Sequence, residues 1–275
     1  MKRITAFFTV LCIMLVQCGC YAPRYHYDVR TDLSVWFTNA DAVIEAVRNG
    51  LRERSPKITV TYTHENDNMA DIPAVIGEIM RYAMAETDDP REGDYIYHQY
   101  GGYELGFTRS EGSGGTYSYE VTIVPEYYTD PSQEAEVDRR VADIIAELEL
   151  HDKTDEQKVK AVYDYVYENV KYDRVHKNKK HYHLKTTAYA ALVNGCAVCQ
   201  GFSVLMYRLL REAGINARVV TGNAVTERGR EYHAWNIAEI DGVYRNIDVT
   251  WDVQTGTHEM YLLCDEEFSQ THEAE

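Results

Sequence analysis

Three residues in this chain have the types and the spacing for acyl-transfer chemistry: Cys199, His233 and Asp248. Cys199 stands just ahead of a run, QGFSVLMYRLLREAG, whose apolar residues recur with helical spacing up to the helix-ending Gly214. A thiol at that place faces unpaired backbone N–H groups and the positive end of the helix dipole, and both favour a thiolate. The His and the Asp come from a predicted hairpin, strands 232–240 and 243–251, joined by Asp241-Gly242. If Ile240 pairs with Val243, Trp235 falls opposite Asp248 and His233 opposite Thr250, with all four side chains on one side of the sheet. His233 and Asp248 are then diagonal neighbours, ~7–8 Å apart at the backbone and within reach of an imidazole–carboxylate hydrogen bond.

Such a set can attack an amide carbonyl through sulfur, protonate the leaving amine from the imidazole and leave a thioester. The backbone N–H of Cys199 would receive the oxyanion, and Gln200 and Asn194 are close in sequence as candidates for a second donor. The hairpin alone does not bring Cys199 to His233, 34 positions away; that contact depends on how the helix packs on the sheet.

The runs VCQGFSVLMYRLLREAGI, HAWN and DVTWD occur in that order and resemble the transglutaminase-like superfamily of papain-type Cys-His-Asp enzymes, its exported bacterial members above all. The similarity extends over about residues 131–264 and takes in TTAYAAL at 186–192. It implies that Cys199 is the nucleophile, His233 the general base and acid, and Asp248 the group that orients the imidazole. Gln200, Gly201, Trp235 and Trp251 are expected to support the site, Trp235 by shielding the carboxylate and Gly201 by letting helix and sheet approach closely.

Rival readings start from the same residues. Cys196-Ala-Val-Cys199 has the spacing of a thiol-disulfide motif, but an apolar helix rather than a strand leads into it. A domain with a spent site, acting as a scaffold, is a further alternative. His176, His181 and His183 could ligate a metal, except that Lys177, Lys179 and Lys180 crowd them with like charge. No metal and no cofactor are expected; the basic loop is read as a solvated segment that could border a substrate cleft.

The elements that must position these residues follow from periodicity. A helix opening at Pro131 carries Val137, Val141, Ile144, Ile145 and Leu148 on one face, and Thr154-x-x-Gln157 caps a second, EQKVKAVYDYVYENVKYD. The basic loop RVHKNKKHYHLK, 174–185, and a short apolar helix at 187–192 lead to the cysteine element. Beyond Gly214 the period changes from 3.6 to 2, and ARVVTGNAV, YHAWNIAEI, VYRNIDVTW and MYLLC read as four strands. The fold class implied for 129–275 is α+β, papain-like, with helices packed on an antiparallel sheet.

Upstream, a helix from Asn39, a strand at 57–65, a helix at 72–85 and two tyrosine-rich strands, 95–108 and 116–124, separated by EGSGG, make a smaller α/β accessory domain over 31–128.

Composition bounds the partners. The formal charge of -16, from 44 acids against 28 bases, argues against nucleic-acid binding, which needs clustered Lys and Arg. Residues 1–20 read as a signal peptide of lipoprotein type: Lys2 and Arg3 precede an apolar run too short to span a bilayer, and Cys18 and Cys20 are the acylation candidates. Residues 21–30 make a tether. The expectation is an exported protein, lipid-anchored on the outer face of a bacterial cytoplasmic membrane, acting on a peptide or protein, with cell-wall peptide among the candidates. Of six cysteines, Cys196, Cys199 and Cys264 lie in the folded part, an odd number that leaves room for a free reactive thiol.

Overall fold

The computed structural model describes Met14–Val16 and residues 33–275 except 113, 227 and 228. Cys18, Cys20, the tether and all of the expected signal peptide but Met14–Val16 lie outside the described residues. Among those described, no helix is long and apolar enough to cross a membrane. The chain is α+β and divides into two compact units. One comprises residues 33–85 and Tyr100–Tyr127 with the strand β1, Met14–Val16; the other comprises Glu86–Gln99 and Tyr128–Glu275. The boundary expected at 128 is therefore interrupted, because 86–99 folds with the second unit.

In the first unit, α1 (Ala40–Arg52) starts where Asn39 Oδ1 accepts the N–H of Ala42 and buries Val47 and Leu51. β2 (Ile58–His64) alternates buried and exposed residues as its sequence does, and α2 (Ile72–Ala83) opens with proline in its first turn. The segment Asp94–Tyr97, expected as strand, is a short helix, α3, in the second unit; β3 (Tyr100–Glu111) begins only after it and pairs with β4 (Tyr117–Tyr127). The antiparallel sheet runs in the order β1-β3-β4-β2.

The second unit begins its helical part with α4 (Pro131–Glu147) and α5 (Asp155–Asn169), each opened by a capping box, Asp130 with Gln133 and Thr154 with Gln157. A two-residue strand β5 (Lys171–Tyr172), the helix α6 (Ala188–Leu192), the strand β6 (Cys196–Ala197) and α7 (Cys199–Glu212) follow, and β5 pairs parallel with β6. The core centres on α7. Eleven of its residues, Phe202, Leu205, Leu209 and Tyr207 among them, are buried, between helices on one side and the sheet on the other. Full burial of each large apolar side chain is worth about 1.5–3 kcal/mol, so this helix anchors the unit.

The sheet consists of β7 (Ala217–Thr226), β8 (Gly229–Ile240) and β9 (Val243–Ile247), and beyond the helices α8 (Val249–Thr255) and α9 (Asp265–Phe268) it gains β10 (His272–Ala274). The strand order is β10-β7-β8-β9, antiparallel throughout. Two expectations are corrected. VYRNIDVTW is strand only to Ile247, because Asp248 caps a helix that turns the chain out of the sheet. MYLLC keeps a single bridge, Leu263 to Asn246, and the fourth strand is instead β10 on the opposite edge.

Candidate active site

Cys199 is the first residue of α7 and is buried, 9% exposed. Val198 before it is extended, so the chain turns sharply into the helix and the thiol starts where the helix N–H groups are unpaired. Gly201 makes this turn possible. A Cβ there would lie 2.7 Å from Ala197 Cβ and 3.0 Å from the carbonyl oxygens of Lys185 and Thr187. The close approach is thus to the segment preceding α6 and not, as expected, to the sheet.

Ile240 pairs with Val243, as the hairpin predicts, but the ladder stops at Asn236–Ile247. Asp248 reaches His233 from the N-cap of α8. Its Oδ1 accepts the N–H of Trp251 at 2.9 Å, and its Oδ2 accepts from His233 Nε2 at 2.6 Å. A second imidazole shares that oxygen: His272 Nε2 lies 3.0 Å from Asp248 Oδ2. Asp248 is 1% exposed, His233 7% and His272 3%.

With Nε2 committed to Asp248, Nδ1 is the ring nitrogen left to exchange a proton with Cys199, whose thiol is close enough to raise the pKa of His233. Burial alone would lower the pKa of His233; the Asp248 charge, its hydrogen bond and the Cys199 thiol outweigh it and raise the pKa well above the usual imidazole range. For Asp248 burial works upward, yet the His233 charge and the bonds from His233, His272 and the Trp251 N–H carry its pKa below the usual carboxylate range. Asp248 is therefore a pure acceptor, and both Nε2 atoms carry their protons.

Sequence reasoning missed His272. It follows every recognised motif, and its strand is three residues long, too short for a periodicity signal. Phe268 stacks on it at 3.9 Å, and the rings of Trp235 and Trp251 lie 5.2 Å from it. The two tryptophans expected near Asp248 thus enclose the imidazole that holds it. Asn236, also unremarked, joins α7 to the sheet by donating to the carbonyls of Ser203 (2.9 Å) and Arg218 (3.2 Å). Gln200 is not aimed at an oxyanion: its Nε2 donates to the His98 carbonyl at 2.5 Å.

Tyr172, beside Ala197 in the β5–β6 pair, is close enough to Cys199 to respond to its charge; burial and then that charge push the phenol pKa up, so it remains a donor. Cys196 is a free thiol whose pKa burial and Asp173 raise.

Among the described residues, the side chains able to share a metal ion are His233, Asp248 and His272, with ligand atoms within 4.8 Å of one another. Two of those atoms already donate protons to the third. His176 pairs instead with Asp173 at 2.8 Å, and His183 stacks on Tyr128.

A family model of the transglutaminase-like superfamily matches residues 142–249. That stretch is transglutaminase-like. It contains Cys199, His233 and Asp248 and ends before His272. Solved structures similar to the chain include a TGase (23% identity, TM-score 0.39, 53% of this chain and 44% of that one). Others are a candidate cysteine protease from Cytophaga hutchinsonii (20%, 0.35, 52% and 61%) and a candidate protease from Parabacteroides distasonis (14%, 0.28, 52% and 36%). The chain thus spans less than two thirds of the length of each. No curated protein matches it.

Proposed function

We propose that the second unit, which carries the transglutaminase-like stretch, is a cysteine-dependent enzyme that hydrolyses or transfers the acyl group of peptide or protein amides. The observation that supports this most directly is an imidazole that binds a buried carboxylate at 2.6 Å and lies beside a thiol at a helix N-terminus. His233 Nδ1 takes the proton of the Cys199 thiol, and the raised pKa of the imidazole favours the imidazolium so formed. Cys199 Sγ bonds to the carbonyl carbon, and the oxyanion is received by the Cys199 N–H, with the Tyr172 hydroxyl as a second donor. His233 Nδ1 then gives its proton to the amine as the C–N bond breaks, leaving a thioester. Water or an amine next loses a proton to His233, attacks the thioester carbonyl and releases Cys199, yielding an acid or a new amide. Asp248 keeps the ring oriented and stabilises its charge throughout.

We read the lipoprotein-type leader as support for a reaction outside the cytoplasmic membrane, on a protein lipid-anchored through Cys18 or Cys20, with cell-wall peptide among the candidate substrates. Incubation with a mixed peptide library, with and without a primary amine and read by mass, separates hydrolysis from transfer. Activity is expected to survive Cys196→Ser and vanish in Cys199→Ser. Loss in both variants, with disulfide reduction by the parent protein, would replace the reading with thiol-disulfide exchange.

A further inference from the structure

The loop 174–185 carries Arg174, Lys177, Lys179, Lys180 and Lys185 and no acid, in a chain whose formal charge is -16. Both of its ends are fastened immediately ahead of the nucleophile: Asp173 N–H donates to the Ala197 carbonyl at 2.8 Å, and Val198 N–H to the Lys185 carbonyl at 3.0 Å. Its middle reaches the strand of the general base, where Lys177 Nζ meets Glu231 Oε2 at 3.0 Å, two residues before His233. The loop therefore flanks the Cys199–His233 pair.

Its shape is fixed from within. Asp173 Oδ1 accepts the N–H groups of Val175 and His176, at 3.1 and 2.9 Å, and the buried Lys185 Nζ donates to the carbonyls of His176, Lys177 and Lys179 at 3.0, 3.2 and 2.5 Å. A lysine held by three carbonyls organises the backbone and offers little charge outward. Glu231 offsets Lys177. Arg174, Lys179 and Lys180 are exposed and project from this fixed frame.

From this geometry we infer that the loop selects acidic substrates: a peptide or protein segment whose carboxylates flank the scissile amide and face Arg174, Lys179 and Lys180. An acidic segment would otherwise be repelled by the rest of the surface, and fixed local cations reverse that potential within about a Debye length, ~8 Å at physiological salt. The inference rests on Cys199 being the reactive thiol of the proposed function.

The test needs no substrate. Iodoacetate and iodoacetamide share a leaving group and differ in charge, so the ratio of their rates with Cys199 reads the potential at Sγ; peptide mapping assigns the label. The ratio for Cys199 is expected to exceed that for Cys264 by about three- to tenfold, as a few charges near 10 Å give in water. It should fall toward the Cys264 value in 0.5 M salt and in the Arg174→Gln/Lys179→Gln/Lys180→Gln variant, while the iodoacetamide rate stays within about twofold. Lys180→Glu alone, a single exposed change, should lower it further than Lys180→Gln. A reactive Cys199 whose ratio ignores salt and all of these substitutions would overturn the inference and leave the enzyme reading standing. A Cys199 inert to both reagents would instead overturn the enzyme reading, and the inference with it.

Discussion

The second unit buries two carboxylate clusters, and they differ in what neutralises them. Asp94 receives both arms of Arg218, at 2.8 and 2.9 Å, and the Val219 N–H at 2.7 Å. Glu86 beside it accepts the Asp94 N–H at 2.8 Å and the Tyr207 hydroxyl at 2.7 Å. Burial and Asp94 raise its pKa to about 7. Asp248 is as deeply buried, but its partners are two imidazoles, one of which lies beside a thiol. Glu86 and the buried His98 can titrate beside Asp94, but the guanidinium that neutralises it does not release its proton under physiological conditions, so that pair holds 86–99 to β7. An imidazole counter-ion can, so the second cluster can move protons. Buried charge alone does not distinguish them; the nature of the counter-ion does.

Exchanging one group in each cluster separates the two roles. Asp248→Asn keeps the volume and can present its amide to His233 with the wrong polarity, so peptide turnover should fall roughly a thousandfold or more while the melting temperature changes modestly. Arg218→Met should do the reverse: about 3–5 kcal/mol of stability lost in denaturant titration, from stranding Asp94, with turnover of the folded fraction preserved below the transition. Turnover lost in Arg218→Met well below its transition would show that the Asp94 cluster is part of the catalytic apparatus.

His272 tests where the second cluster ends. Replacement by phenylalanine keeps a ring against Phe268 and removes the donor to Asp248 Oδ2, leaving a buried carboxylate one bond short, at a cost of about 1–3 kcal/mol. Glutamine, which can still donate, should recover part of it. If phenylalanine were as stable as the parent protein and glutamine less so, His272 would be there for its stacking alone.

Much of this site was legible because its determinants are local. The helix start at Cys199, the hairpin at Asp241-Gly242 and the pairing of Ile240 with Val243 each follow from a few adjacent residues. The His233–Asp248 contact was anticipated for a partly mistaken reason: the ladder ends at Ile247, and a helix cap delivers the carboxylate. What was not legible depends on distant pairing. β10 docks on β7 across some fifty positions, where Gly222 leaves it room: a Cβ there would fall 2.1 Å from the Glu273 carbonyl oxygen. The placement of 86–99 with the second unit rests on Asp94 meeting Arg218, 124 residues away, and no periodicity announces an ion pair.

The smallest expected effect is in the pH dependence of stability, where each cluster should lose stability as pH rises but in its own window. His233 has a raised pKa in the folded state, so the stability it confers is complete below the ordinary imidazole pKa, ~6.5, and is lost as pH rises through the folded value. Asp248 has a lowered one, so its contribution is present above the ordinary carboxylate range and is lost as pH falls through the folded value. Glu86 is an acid with a raised pKa; the folded state holds its proton more tightly than the unfolded chain, and stability should decline from its ordinary 4.5 up to about 7. Each proton sets a slope of at most about 1.4 kcal/mol per pH unit. In denaturant titrations across pH 4.5–9, Glu86→Gln should flatten the decline below neutrality and leave the alkaline one, and Asp248→Asn should flatten the alkaline decline and leave the other. An alkaline decline that persists unchanged in Asp248→Asn would mean that His233 owes its charge to Cys199 rather than to the carboxylate, and the difference between the two clusters would then lie in the thiol.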